Sequence, residues 1–200
     1  MQITRRGVRA HPVLAAIGVT YLIGFTIYGL TIGAAATIPY AVVVSVCFVL
    51  LGVADHHVGF TTGVLAGLCL WGFGHMAGGL IPVDDHVLYG LWLLPVLRFD
   101  QLVHVIGFGL AALAAWQVVR RWLPGPPPRG PGLFVTVVFL GMGVGAINEV
   151  VEFFAGLVFE ENNVGGYLNT SLDLVADLVG SIAAAFWVTL REGQPASSSA

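Results

Sequence analysis

Six apolar runs, at about residues 12–33, 37–54, 60–81, 99–119, 132–158 and 170–190, fill most of this 200-residue chain. A helix needs about 20 such residues to cross the hydrocarbon core of a bilayer. Backbone in lipid has no water to bond to, so runs of this length must fold as helices. The second run is the shortest, and its ends are the least sharply marked.

Composition agrees. Hydrophobic residues make up 57% of the chain and charged residues only 10%, with a mean hydropathy of +0.89; a soluble domain carries about 25% charged residues. The net charge of -3 is too small to point to a nucleic-acid partner. Cys47 and Cys69 lie inside apolar runs and read as packing residues. The expected fold is all-α: one polytopic membrane bundle of about six transmembrane helices, with the lipid bilayer as its surroundings.

There is no lysine, and the eight basic residues are all arginine. With the N-terminus in the cytoplasm, Arg5, Arg6, Arg9, Arg120, Arg121, Arg129 and Arg191 fall inside and only Arg98 outside, a clear positive-inside bias. Both termini are then cytoplasmic. Residues 1–11 form a basic cytoplasmic N-terminus, 12–190 the six-helix domain and 191–200 a disordered tail. The first run follows arginines and precedes Ala34–Ala36 like a signal peptide, but it is too long for such an apolar core and is expected to be retained.

Residues 124–131, rich in proline and glycine, read as a stiff cytoplasmic connection. The Glu160–Glu161 segment has no arginine and faces the exterior. Val87–Leu97 is apolar but too short to span; it is expected at the outer interface, anchored by Tyr89 and Trp92. Asp55, His56 and His57 read as a cytoplasmic polar loop. Asp84, Asp85 and His86 read as solvated residues on the opposite side. Asn162, Asn163, Gly165, Gly166, Tyr167 and Asn169 have turn chemistry and could also form a pocket rim.

Against this apolar background stand seven ionisable side chains: His75, Asp100, His104, Glu149, Glu152, Asp173 and Asp177. Each costs about 2.5–3.5 kcal/mol or more to bury at the bilayer centre. At 1.5 Å of rise per residue, His75 lies roughly 9 Å below the outer end of its helix, Glu152 and Glu149 about 10 and 15 Å, and Asp173 and Asp177 about 5 and 10 Å. Asp100 is in the first turn of its helix, with His104 one turn deeper. All seven therefore fall in the outer half, although the orientation came from arginines alone. Asp100/His104 and Asp173/Asp177 are spaced i,i+4 and Glu149/Glu152 i,i+3, so each pair shares a helix face. Gly74 and Gly78 beside His75, and Gly141, Gly143 and Gly145 ahead of Asn148, are expected to let helices approach closely.

Four helices presenting such faces inward make a polar pocket. Five carboxylates in a low dielectric cannot all be charged without compensation. A divalent cation supplies it, and mixed imidazole and carboxylate ligands suit zinc, manganese or iron, in a mononuclear or dinuclear centre. The expected ligands are His75, Asp100, His104, Asp173 and Asp177, with Glu149 and Glu152 as candidate catalytic bases. Blander readings exist. Thr170–Asp173 resembles a capping box with Thr170 as the cap, and Asp100 suits the first turn of a helix on dipole grounds alone.

His75 with its following glycines, Phe99-Asp100-x-x-x-His104, Asn148-Glu149-x-x-Glu152, and the run Tyr167-x-Asn169-Thr170-x-x-Asp173-Leu174-x-x-Asp177-x-x-Gly180 together resemble the YjdF-like family of bacterial inner-membrane proteins over about residues 20–190. A fainter likeness is to the VanZ-like membrane proteins. The resemblance implies a small polytopic bundle in the bacterial cytoplasmic (inner) membrane and supplies no activity. One departure is Asn169, where the pattern leads one to expect aspartate.

Three functions follow from the residues. The first is a metal-dependent membrane hydrolase acting on a lipid or lipid-linked substrate. The second is a proton- or cation-coupled transporter, although the inner half lacks polar groups and no inverted repeat is visible. The third is a structural or regulatory subunit whose polar groups hold helices together, where each interhelical bond contributes only about 0.6 kcal/mol.

Overall fold

A computed structural model describes residues 11–127, 129–159 and 166–192. Arg5, Arg6 and Arg9, the Glu160–Glu161 segment with Asn162, Asn163 and Gly165, and residues 193–200 of the expected tail lie outside them. Six helices follow one another: α1 (Pro12–Thr31), α2 (Thr37–Val58), α3 (Thr62–Leu80), α4 (Phe99–Trp122), α5 (Pro131–Val158) and α6 (Tyr167–Glu192). All six are long and apolar enough to cross a membrane. The protein is an all-α, multi-pass membrane bundle.

Proline at the first helical position opens α1 and α5, where its missing N–H is no loss. The second helix runs further than its apolar pattern, through Asp55, His56 and His57, and stops at Gly59 with φ 71°. Those three residues are therefore the last turn of α2 and not a loop. The Asp55 side chain accepts the Phe60 N–H at 2.8 Å, which makes it a buried helix stop.

Two half-bundles meet side by side. In the first, Tyr21, Tyr40, Val44, Cys69, Met76 and Leu80 form a core between α1, α2 and α3. In the second, Ala112, Trp116, Leu133, Val137, Ala184, Ala185 and Val188 fill the space between α4, α5 and α6. Packing of α3 on α4 joins the halves.

Between α3 and α4 the chain makes two small antiparallel hairpins. Strands β1 (Pro82–Val83) and β2 (His86–Val87) pair, as do β3 (Trp92–Leu94) and β4 (Leu97–Arg98). A single 3-10 turn at Leu88–Gly90 separates them. Asp84, in the tight turn of the first hairpin, has φ 49°, a conformation that aspartate tolerates better than most residues. Asp84, Asp85 and His86 are exposed. Trp92 is exposed under the Arg98 guanidinium, 4.6 Å from its ring centre, as an interfacial anchor would be. Tyr89 departs from that expectation: it turns inward against Tyr40 and His75.

Candidate functional site

His75 is near the end of α3, Asp100 and His104 at the start of α4, Glu149 and Glu152 near the end of α5, and Asp173 and Asp177 at the start of α6. Up-and-down topology puts all four stretches at one end of the bundle, the end that the arginines assign to the exterior. Helix α4 is the hub, packed on α3, α5 and α6.

His104 is the centre of the cluster and is 7% exposed. Its Nδ1–H donates to Asp177 Oδ1 at 2.9 Å. Asp177 is fully buried (0% exposed). That bond fixes the ring and leaves Nε2 facing Asp100, whose Oδ1 is 3.9 Å away. Two groups of potential ligand atoms share this histidine: Asp100, His104 and Asp173, and His104, Glu149 and Glu152. Within each, the atoms all lie within 4.8 Å of one another. Because Nδ1 is occupied, His104 can offer only Nε2 and so can serve one ion.

Three side-chain amides hold the acids in place. Asn169 Nδ2 donates to Asp100 Oδ2 at 3.4 Å and also to Asp173 Oδ2, bridging the two carboxylates. Gln101 Nε2 donates to Asp173 Oδ1 at 3.4 Å, while its Oε1 accepts the Arg98 backbone N–H at 2.8 Å. Asn148 Nδ2 donates to Glu152 Oε1 at 2.7 Å. Glu149 differs: both of its carboxylate oxygens are buried without a hydrogen-bond partner among the described residues. Thr170 and Asn148 are its polar neighbours. A buried carboxylate in this state is short of donors or of a cation.

His75 stands apart. Its Nδ1 accepts from the Tyr89 hydroxyl at 2.6 Å, and its ring stacks on Trp71, with centroids 5.5 Å apart. Tyr89 lies outside the spanning helices. Burial, reinforced by Tyr40 and then by Asp100, Glu152 and Asp173, holds its hydroxyl well above the ordinary tyrosine range. It therefore keeps its proton and remains a donor. His75, Asp100, His104 and Glu152 line one cavity of about 70 Å³ with Asn148 and Asn169, room for a few waters or a partly hydrated ion.

Close glycine contacts bring the acidic faces together. A Cβ on Gly145 would collide with Asp177, and one on Gly141 with Ser181, so α5 approaches α6 most closely beside the buried acid. Gly143 faces open space and Gly74 has only an ordinary contact with Val103; neither belongs to the set of close approaches expected of it.

Residues 13–194 match the family described as a predicted membrane protein, DUF2238. The chain belongs to this family. No curated protein and no solved structure matches it significantly.

Within this DUF2238 member the seven ionisable residues gather at one end, in unequal positions. Asp100, His104, Asp173, Glu149 and Glu152 form the two ligand groups. His75 and Asp177, expected as ligands, are in neither. Asp177 instead grips the far side of His104, and His75 is bonded to Tyr89 across the cavity from it. Asp173 is 1% exposed and sits in the second turn of α6, because the helix begins at Tyr167. The Thr170 N–H already bonds back to the Gly166 carbonyl, so Thr170 is not a helix cap.

Sequence reasoning missed Gln101, set Tyr89 at the interface, and read Asn169 as turn chemistry or pocket rim; Asn169 does line the cavity. Spacing alone offered a signal for two of them: Asn169 is four residues before Asp173, and Gln101 is three after Arg98 at the helix start. Asn169→Ala should leave the Asp100 and Asp173 carboxylates without their common donor. A divalent ion held by these acids would then bind about 10- to 100-fold more weakly, as read by titration calorimetry on the detergent-purified protein.

Proposed function

We propose that the outer-end cluster binds one divalent metal ion, zinc, manganese or iron, and that the protein is a metal-dependent membrane hydrolase acting on a lipid or lipid-linked substrate. The observation carrying this reading is the setting of His104: Nδ1 is held by a fully buried carboxylate, Nε2 faces Asp100, and four acids from three helices share the two ligand groups with this histidine. A carboxylate behind the imidazole is the usual partner of a metal-ligating histidine. Asp100 and Asp173, bridged by Asn169, supply oxygen ligands beside it.

Glu149, beside Thr170 and Asn148 but with neither oxygen in a close hydrogen bond among the described residues, is the candidate base, and Glu152, oriented by Asn148, is its alternate. A divalent ion held by His104, Asp100 and Asp173 would polarise a nearby water; in hydrolysis the Glu149 base takes one proton from that water and the remaining hydroxide attacks the ester centre. The bond to the leaving alcohol breaks, and the alcohol departs with the proton returned by the base. The apolar core from Ala112 to Val188 beneath the cluster speaks against a continuous hydrated path and so against transport.

The motifs that resemble the YjdF-like family all fall inside residues 13–194, and this reading takes the two families as one, seated in the bacterial inner membrane with the cluster toward the exterior. The test is hydrolysis of phospholipids and polyprenyl phosphates by purified protein stripped with chelator and reloaded with each metal. Metal-dependent turnover that Glu149→Gln abolishes supports the proposal. Turnover that survives both chelation and Glu149→Gln refutes it.

A further inference from the structure

We infer that the cavity opens sideways into the outer leaflet between α2 and α5, and that the substrate is a membrane lipid whose acyl chain lies in this gap while its headgroup linkage reaches the acids. The inference rests on the proposed hydrolase and narrows its substrate to one that never leaves the bilayer.

Helix α2 lines the cavity with Tyr40 and Val43, and α5 lines it with Val151 and Ala155. Yet α2 and α5 do not pack as a pair: α2 packs on α1 and α3 and touches α4 slightly, and α5 packs on α4 and α6. Helix α4, which touches both, forms the back of the gap through Val103 and Phe108. Val42 and Val46 on α2, and Val150 and Phe154 on α5, are exposed. In a spanning helix exposed faces of this kind are wetted by lipid tails, so the gap is continuous with the bilayer.

Depth agrees. Val43 is six residues inside α2 and Val151 seven inside α5, so the opening reaches roughly 10 Å below the helix ends, where acyl chains meet headgroups. The walls are apolar toward the lipid and acidic inside, at Asp100 and Glu152. The cavity volume of about 70 Å³ is too small for a whole lipid, so only the reacting linkage enters and the chain stays in the gap. An anionic headgroup would meet these acids through the bound cation.

The experiment uses the full chain in nanodiscs with a phosphatidylglycerol probe that carries a diazirine on one acyl chain close to the glycerol. Val103 and Phe108 on α4 line the same cavity and are only 7% and 4% exposed, so a probe reaches them only from inside the gap. The expected result is photolabelling of Val103 or Phe108 in the wild type. That labelling is lost when Ala155→Trp plugs the gap, while labelling of the outward-facing Val46 and Phe139 persists. Val43→Trp plugs it from the other wall and serves if Ala155→Trp does not fold. No label on Val103 and Phe108 in the wild type, or undiminished label in the plugged proteins, overturns the inference. Metal content of the same samples separates the two proposals. Metal without interior labelling sinks only the lateral path, whereas interior labelling without metal keeps the path and sinks the metal hydrolase.

Discussion

A single methyl group added at Gly180 is expected to destabilise this protein more than a methyl at any lipid-facing glycine. Helices α4 and α6 cross with backbone against backbone at this point. A Cβ on Gly180 would overlap the Val105 carbonyl oxygen and come within 2.8 Å of the Gly109 nitrogen. Neither obstacle is a side chain that can swing away, so the helices must separate. Overpacking of this kind costs about 1–3 kcal/mol, and more where nothing can yield. The same separation pulls His104 from Asp177, because that bond spans the same helix pair one turn away. Thermal unfolding in detergent should show a clear drop in Tm for Gly180→Ala. Gly143→Ala, whose new methyl meets nothing within 4 Å, should leave Tm unchanged or raise it slightly through better helix propensity. Equal behaviour of the two variants would contradict the proposed crossing.

Asp177→Ala is expected to cripple metal binding without removing a ligand. Asp177 does not belong to either ligand group, but its Oδ1 is the partner that fixes the His104 ring. Without it the imidazole can rotate and its tautomer is no longer specified, so Nε2 is not reliably presented to the acids. Loss of such a partner weakens metal affinity by about 10- to 100-fold. The His104 N–H would also be left buried and unpaired, at a cost of about 1–3 kcal/mol. Asp177→Asn separates the two effects: the amide oxygen can still accept from Nδ1–H, so stability should largely return while the charge behind the ring does not. Calorimetric titration beside thermal unfolding reads both. Metal affinity for Asp177→Ala equal to wild type would mean that the His104–Asp177 bond only holds helices together.

The six helices were legible because lipid leaves the backbone no other solution. The gathering of the seven ionisable groups was legible because connectivity fixes depth and i,i+4 spacing fixes a shared face. Azimuth was not legible. Which glycines meet a neighbour depends on helix rotation about the axis, so Gly143 and Gly145 look alike in the sequence and differ completely in their surroundings. The division of labour within the cluster was hidden for a related reason: sequence position shows that His75 and Asp177 are polar and deep, not that His75 pairs with Tyr89 or that Asp177 holds Nδ1 of His104. Gln101 was overlooked, and the bridging role of Asn169 was not seen, because a buried neutral side chain costs far less than a charge and so does not stand out from its helix. Tyr89 was misplaced because an aromatic residue at an interface is favoured on general grounds; its contact with His75 depends on the fold of the 81–98 connection. The length of α2 was underestimated because its last turn is polar, and the stop is set by Gly59 and the Asp55 carboxylate.

The central claim is that His104 and the surrounding acids hold a metal ion. Elemental analysis of the detergent-purified protein tests it most directly, with wild type beside His104→Ala and Glu149→Gln. One divalent ion per chain is expected in the wild type, with loss of that ion in His104→Ala and a reduced content in Glu149→Gln. Wild-type protein that is folded and free of metal after exposure to zinc, manganese and iron, or a His104→Ala variant that keeps the full complement, would contradict it.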